Sequence, residues 1–202
     1  MLLCQTAHNF FATNLPRLAG NHLEIGVYEG DSLRILATAI PHKQFIGVDP
    51  FLEDGWTAVG TGNERGSHNS KQEMVTDANI YGIPNITLHK IPSSEFYNNL
   101  TDEEAEKLNI SSVFIDGSHH YEDVKLDFEL AKKVIGTKSG IIVIDDICGI
   151  PDVLQAYREF VDNNMHIISA MAGLARGEIL SEDRKPGWQV AVIFLNGGDI
   201  TC

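Results

Sequence analysis

Apolar residues gather along the chain in short runs rich in β-branched side chains: HLEIGV (22–27), QFIGVD (44–49), ITLHKI (86–91), SSVFID (111–116) and GIIVID (140–145). Runs this continuous, without strict alternation, belong to strands buried on both faces. Most are separated by segments of helical periodicity, at 31–40, 68–80, 101–107, 120–135 and 151–163, the first opening at Asp31 or Ser32 as its cap. Strand and helix in alternation predict an α/β fold: a mainly parallel sheet with helices on both faces. Two late runs, HIISAM (166–171) and WQVAVIFL (188–195), are joined through GLARGEILSEDRKPG, which has no room for a crossover helix of usual length. They predict an antiparallel hairpin at one sheet edge. The stretch 52–70 has no periodicity and carries Gly55, Gly60, Gly62 and Gly66, so it reads as a long flexible loop, either functional or idle. Residues 1–20 read as a short helical segment. With no repeat or linker in view, 1–202 reads as a single domain.

Composition narrows the partners. At 202 residues, 43% apolar and 21% charged, the chain can bury a full core. Fifteen basic against 28 acidic side chains give a net charge of −13, which repels phosphate backbones and anionic lipid surfaces. Nucleic acid and membrane are therefore excluded as expected partners. Cys4, Cys148 and Cys202 are odd in number and widely spaced, so neither a disulfide framework nor a zinc site is indicated, and a reduced, cytoplasmic setting is expected. The first 20 residues have no basic region, and no run approaches the roughly 20 apolar residues of a membrane span. A soluble protein is expected.

The candidate chemistry begins at EIGVYEGDS (24–32), directly behind the first strand. In an open parallel sheet the turn after that strand is the usual ligand contact, and Gly26 and Gly30 occupy it. A dinucleotide fingerprint wants G-x-G-x-x-G, but Tyr28 stands at its second glycine and the third is missing. Glu29 and Asp31 also place negative charge where a pyrophosphate would settle. A cofactor without phosphates fits better. S-adenosylmethionine brings an ammonium and a sulfonium that acids attract, and a carboxylate that Ser32 and helix amides can receive. Asp49, at the end of the second strand, is placed to accept ribose hydroxyls. Glu24, Tyr28, Pro50, Phe51, Ser94 and Glu95 complete the expected cofactor contacts, with Phe51 on the adenine face. The competing reading is a tight turn that binds nothing, with Asp49 a turn residue, Phe51 part of the core, and Ser94 and Glu95 capping a short helix.

The second cluster joins FIDGSHHYED (114–123) to VIDDI (143–147). Asp116 and Asp145 end neighbouring strands, which lie about 4.8 Å apart, so their carboxylates can share one cation. Asp146 joins them only if the chain leaves extended geometry after Ile144, because consecutive strand residues point to opposite faces. Clustered carboxylates resist ionisation unless a cation neutralises them, and an oxygen-only set suits Mg²⁺, Mn²⁺ or Ca²⁺. Without a metal, Asp116 would simply start an Asp-Gly turn and Asp145 would cap one. His119 and His120 follow closely and titrate near neutrality, so either can take a proton from a substrate hydroxyl. His8, His22, His42, His68, His89 and His166 read as exposed side chains with no task. Trp56 and Trp188 are candidates for an acceptor pocket.

On these residues the chain resembles the class I S-adenosylmethionine-dependent methyltransferases, in their metal-dependent O-methyltransferase branch, over about residues 20–195. EIGVYEGDS looks like the family's first motif, Asp49 like its ribose-binding acid, and Asp116, Asp145 and Asp146 like its metal ligands. FIDGSHHYEDV with IDDI is most similar to the macrolide-sugar and antibiotic-tailoring enzymes of methyltransferase family 24. The resemblance implies a Rossmann-like, doubly wound, seven-stranded sheet with a C-terminal antiparallel strand, and Asp116 touching the cofactor as well as the metal. It places the catalytic base on His119. It implies methyl transfer from S-adenosylmethionine to a hydroxyl of a small acceptor, such as a sugar or natural product, assisted by a divalent ion, Mg²⁺ first. A metal-independent enzyme of the same fold and a non-catalytic S-adenosylmethionine-binding module are the alternatives, and a homo-oligomer is compatible with either.

Overall fold

A computed structural model describes residues 5–52, 69–175 and 188–197. Most of the glycine-rich stretch 52–70, with Trp56 and His68, lies outside the described residues, as do Cys4 and Cys202. Helix α1 (Gln5–Asn14) and a 3-10 turn (Leu15–Arg17) lead into β1 (Asn21–Ile25). There follow α2 (Asp31–Ala39), β2 (Phe45–Val48), α3 (Ser70–Ile80), β3 (Ile86–His89), α4 (Ser93–Asn99) and α5 (Asp102–Leu108). The chain ends with β4 (Ile110–Ile115), α6 (Tyr121–Ile135), β5 (Gly140–Ile144), α7 (Pro151–Asn164), β6 (Ile168–Ala175) and β7 (Trp188–Leu195).

The seven strands lie in the order β3-β2-β1-β4-β5-β7-β6. All pairings through β5 are parallel, and β7 runs antiparallel to both β5 and β6. This is the α/β, Rossmann-like arrangement expected, with one detail the pattern did not give: β7 inserts inside β6, which becomes the edge. Alternating strand residues sort the core. Leu23, Ile25, Val113, Ile115, Ile142 and Ile144 face a cluster built with α4 to α7. Phe45, Phe114, Ile141, Val143, Val190 and Val192 face a cluster built with α1 and α2. Each large side chain so buried contributes about 1.5–3 kcal/mol. The strand order reverses between β1 and β4, and in open α/β sheets ligands bind outside the carboxyl ends of the strands at such a point.

Expectations change at the cap of α2 and at His22 and His89, and the short helix foreseen at Ser94 and Glu95 is present. Helix α2 is preceded at its N-cap position by neither Asp31 nor Ser32 but by Gly30, which takes the left-handed backbone (φ 75°) that the turn requires and makes no side-chain cap hydrogen bond. Helix α4 arises where only Phe96 of seven residues is buried, too short for a periodic signal. His22 is not exposed: it is fully buried, its Nδ1 2.8 Å from Ser112 Oγ and its ring against Phe11 and Phe45. His89 is half-buried against Phe96.

Candidate functional site

The turn after β1 is built by backbone conformations that few residues adopt. Gly26 has φ 87°, and a Cβ there would lie 2.1 Å from the Asp116 carbonyl oxygen, so only glycine fits. The close approach fastens the two strand ends: Gly26 N–H donates to Val48 O at 3.0 Å and Asp116 N–H to Ile25 O at 2.9 Å. Tyr28, with φ 52°, is also left-handed and its side chain is 62% exposed.

Asp49 is the hub of this turn. Its Oδ2 accepts N–H groups from Val27 (2.8 Å) and Tyr28 (2.9 Å), and its Oδ1 accepts that of Phe51 (2.6 Å). A carboxylate offers about four acceptor positions, so three are taken and one remains. Pro50 is partly exposed. Phe51 is fully buried at φ 51°, its carbonyl accepting from Asn69 N–H at 2.5 Å. Its ring therefore packs inside rather than offering an open adenine face. Ser94, half-buried, and Glu95, exposed, occupy the first turn of α4 just past β3.

Glu24 lies within β1, 1% exposed. Burial pushes its carboxyl up to about 8, against the hydroxyl of Ser32, which donates to Oε1 and lowers it, while the charge of Asp49 adds to the rise. Its second oxygen, Oε2, is buried without a hydrogen-bond partner. An unpartnered carboxyl oxygen of this kind, beside a cradle that only glycine allows, fits a ligand bringing an ammonium and a sulfonium, whose positive charge would favour the ionised carboxylate.

One strand over, the acids assemble. Strand β5 ends at Ile144, and Asp146 adopts φ 59°, so the chain does leave extended geometry there. Asp116, His119 and Asp146 each bring a ligand atom within 4.8 Å of the others. Two ligands of one ion lie at most about twice a 2.0–2.6 Å bond apart, so the spacing suits a single divalent cation. His119 Nε2 is 3.2 Å from Asp146 Oδ2, with side chains only 12% and 18% exposed. Asp145 is not in this group. It is 5% exposed and its Oδ1 accepts the Asp146 N–H at 2.7 Å, which stabilises the turn that swings Asp146 forward. His120 is exposed and occupies the N-cap position of α6. Between them, Ser118 Oγ donates to Asp123 at 2.7 Å and accepts the His120 N–H at 3.2 Å, which shapes the loop carrying His119.

Sequence reasoning missed the supports around the turn. Thr76 and Asn79 of α3 hold the carbonyls of Tyr28 and Glu29, at 2.5 and 2.8 Å. Buried Asp127 of α6, pushed up to about 7 by burial, was missed too. None of the three sits in a motif, and contacts 48 and 50 residues apart leave no local trace.

A family model described as a methyltransferase domain matches residues 23–147, an interval that runs from within β1 to just past Asp146 and contains the glycine turn, Asp49 and the cluster of Asp116, His119 and Asp146. An uncharacterized protein of Acanthamoeba polyphaga mimivirus is 31% identical over 125 residues, covering 62% of this chain and 50% of that protein. The chain thus spans about half the length of the curated relative it matches. In structure it is similar to a precorrin-6y methyltransferase from Geobacter metallireducens, at 15% identity and TM-score 0.61, covering 95% of this chain and 87% of the other. It is also similar to the O-methyltransferase TomG from Streptomyces achromogenes, involved in tomaymycin synthesis and solved with SAM, at 16% identity and TM-score 0.57, covering 93% and 76%. At such identities the likeness concerns the fold. Among the described residues no helix is long and apolar enough to cross a membrane.

Proposed function

The chain belongs to the methyltransferase-domain family and carries its fold, and from that premise we propose that it moves a methyl group from S-adenosylmethionine to a hydroxyl oxygen of a small acceptor, aided by a divalent cation. The observation that carries the reading is the meeting of Asp116, His119 and Asp146 beside the Gly26 turn. In this reading Glu24 receives the cofactor's ammonium, Asp49 gives its remaining acceptor position to the ribose, and Ser94 and Glu95 flank the adenine. Asp116 and Asp146 hold the cation, and Asp145 supports Asp146 from behind. Bound cofactor would supply an electrophilic sulfonium methyl, and a bound cation would lower the pKa of the acceptor hydroxyl. His119 takes the hydroxyl proton on its imidazole, with Asp146 beside it to stabilise the imidazolium that results. Mg²⁺ is the first choice of ion, and a sugar or other polyhydroxylated natural product is the proposed acceptor class.

The test is transfer of labelled methyl from S-adenosylmethionine to a panel of sugars and polyhydroxylated natural products, with Mg²⁺ and with a chelator. Label on oxygen that needs the metal supports the reading. A second reading has its own support, since the 3.2 Å approach of His119 to Asp146 can stand without a cation. Transfer undiminished in chelator would establish that metal-independent enzyme, and cofactor binding with no transfer to any acceptor would leave a binding module.

A further inference from the structure

Among the described residues, α3 gives no side chain to either apolar core cluster. Its Met74 is 72% exposed, Tyr81 just past its end is 89% exposed, and Thr76 is its buried residue. A helix with so little apolar burial stays docked for some other reason. Its attachments are polar. Lys90, just past β3, pairs with Glu73 and Asp77 at 2.7 Å each, which ties α3 to the sheet. On the side of the glycine turn, Thr76 Oγ1 lies 2.5 Å from Tyr28 O and 3.0 Å from Gln72 O. A hydroxyl has one proton, and the shorter contact takes it. Asn79 Nδ2 donates to Glu29 O at 2.8 Å. The seat is tight: a Cβ on Gly30 would come within 3.1 Å of Thr76 and 3.2 Å of Ile80.

Tyr28 is therefore held at both ends, its N–H by Asp49 and its carbonyl by Thr76, in a left-handed conformation that tyrosine does not favour. We propose that Thr76 and Asn79 are positioning residues for the cofactor: they pull the Tyr28 and Glu29 carbonyls outward onto α3. The Val27 and Tyr28 amides are thereby fixed on Asp49, and its one remaining acceptor position is aimed at the ligand. The inference rests on the reading of this turn as the cofactor turn. It makes α3, otherwise a surface helix, part of the binding machinery without touching the ligand.

Calorimetric titration of the full chain with S-adenosylhomocysteine, alongside thermal melting, tests it. Thr76→Val keeps the shape and removes the hydroxyl, and is expected to weaken binding about tenfold. Thr76→Ser, which keeps the hydroxyl, stays within about threefold of wild type, and Asn79→Ala weakens binding by a factor of roughly three to ten. Manganese affinity, measured in parallel, is unchanged in all three. Thr76→Val that binds as tightly as wild type overturns the proposal even if its melting temperature falls, because the hydroxyl would then serve stability alone. Thr76→Ser as weak as Thr76→Val overturns it too. Should Thr76→Val fail to fold, Asn79→Ala decides, and undiminished binding there is the negative result. Wild-type protein that binds no S-adenosylhomocysteine refutes the cofactor reading itself, an outcome distinct from failure of the positioning role.

Discussion

The two edges of the sheet are built from different chemistry. At the amino ends of the parallel strands, side-chain amides and a lysine close the open backbone carbonyls. Asn21 donates to Leu108 O, Asn85 to Ala37 O and Lys43 O, and Asn196 to Gly136 O and Lys138 O, all between 2.8 and 3.1 Å. Lys43 donates to Leu18 O and Gly20 O. Where left-handed backbone is needed, at 109 and 196, the residue is asparagine, which tolerates it. The carboxyl edge is the reverse. Its left-handed positions include Tyr28 and Phe51, bulky residues that adopt this conformation at a cost, together with Asp146. A carboxyl oxygen of Glu24 is left buried and unsatisfied. One edge is arranged for stability, while the other holds strain and unmet hydrogen bonding where a ligand can meet it.

Substitutions should separate the edges in proportion. The largest effect belongs to Asp116→Ala, which should lower methyl transfer by about a thousandfold or more while S-adenosylhomocysteine affinity stays within roughly threefold. Comparable losses in both would place Asp116 in the cofactor site alone. Next, Gly26→Ala forces a Cβ against the Asp116 carbonyl, and should destabilise the fold by on the order of 3 kcal/mol in denaturant titration and abolish cofactor binding.

Glu24 gives the carboxyl edge a pH signature. Its folded carboxyl sits near 8 against an ordinary 4.5, so the folded chain binds the proton more tightly. The stability it contributes is complete below about 4.5 and is lost as pH rises toward about 8. Ligand-free protein should lose about 2 to 3 kcal/mol between pH 5 and 7 through this group, and Glu24→Gln should remove that part of the slope. Asp127, raised to about 7, adds a parallel loss that remains in the variant. An unchanged slope would mean that Glu24 is ionised in the fold. The smallest effect lies at the opposite edge: Asn196→Ala should cost about 1 kcal/mol in melting experiments and leave cofactor affinity untouched. A fall in affinity there would break the contrast between the edges.

The fold was legible because its signals are local and repeated. Runs such as GIIVID announce strands, their spacing implies crossovers, and the short late connection implies an antiparallel pair. That β7 enters between β5 and β6 follows from long-range pairing, which no local pattern encodes. At the site, the acids were legible because carboxylates gathered at strand ends need a reason. The condition placed on Asp146, that the chain turn after Ile144, could be stated from strand geometry, but its φ of 59° had to be seen. The capping of α2 was misjudged because Asp31 and Ser32 are favourable cap residues by type. Gly30 takes the position because the turn arrives left-handed. Thr76 and Asn79 were invisible for a different reason: polar residues on a weakly amphipathic helix look like solvent-facing ones until the helix is docked.

The central claim, that the carboxyl edge gathers enough anionic oxygen to hold a divalent ion beside the cofactor turn, is tested most directly by titrating the protein with Mn²⁺ and reading free ion by electron paramagnetic resonance. One ion bound per chain, lost in Asp116→Ala and in Asp146→Ala but retained in Glu24→Gln, is the predicted result. Wild-type protein that leaves all added Mn²⁺ free would contradict the account.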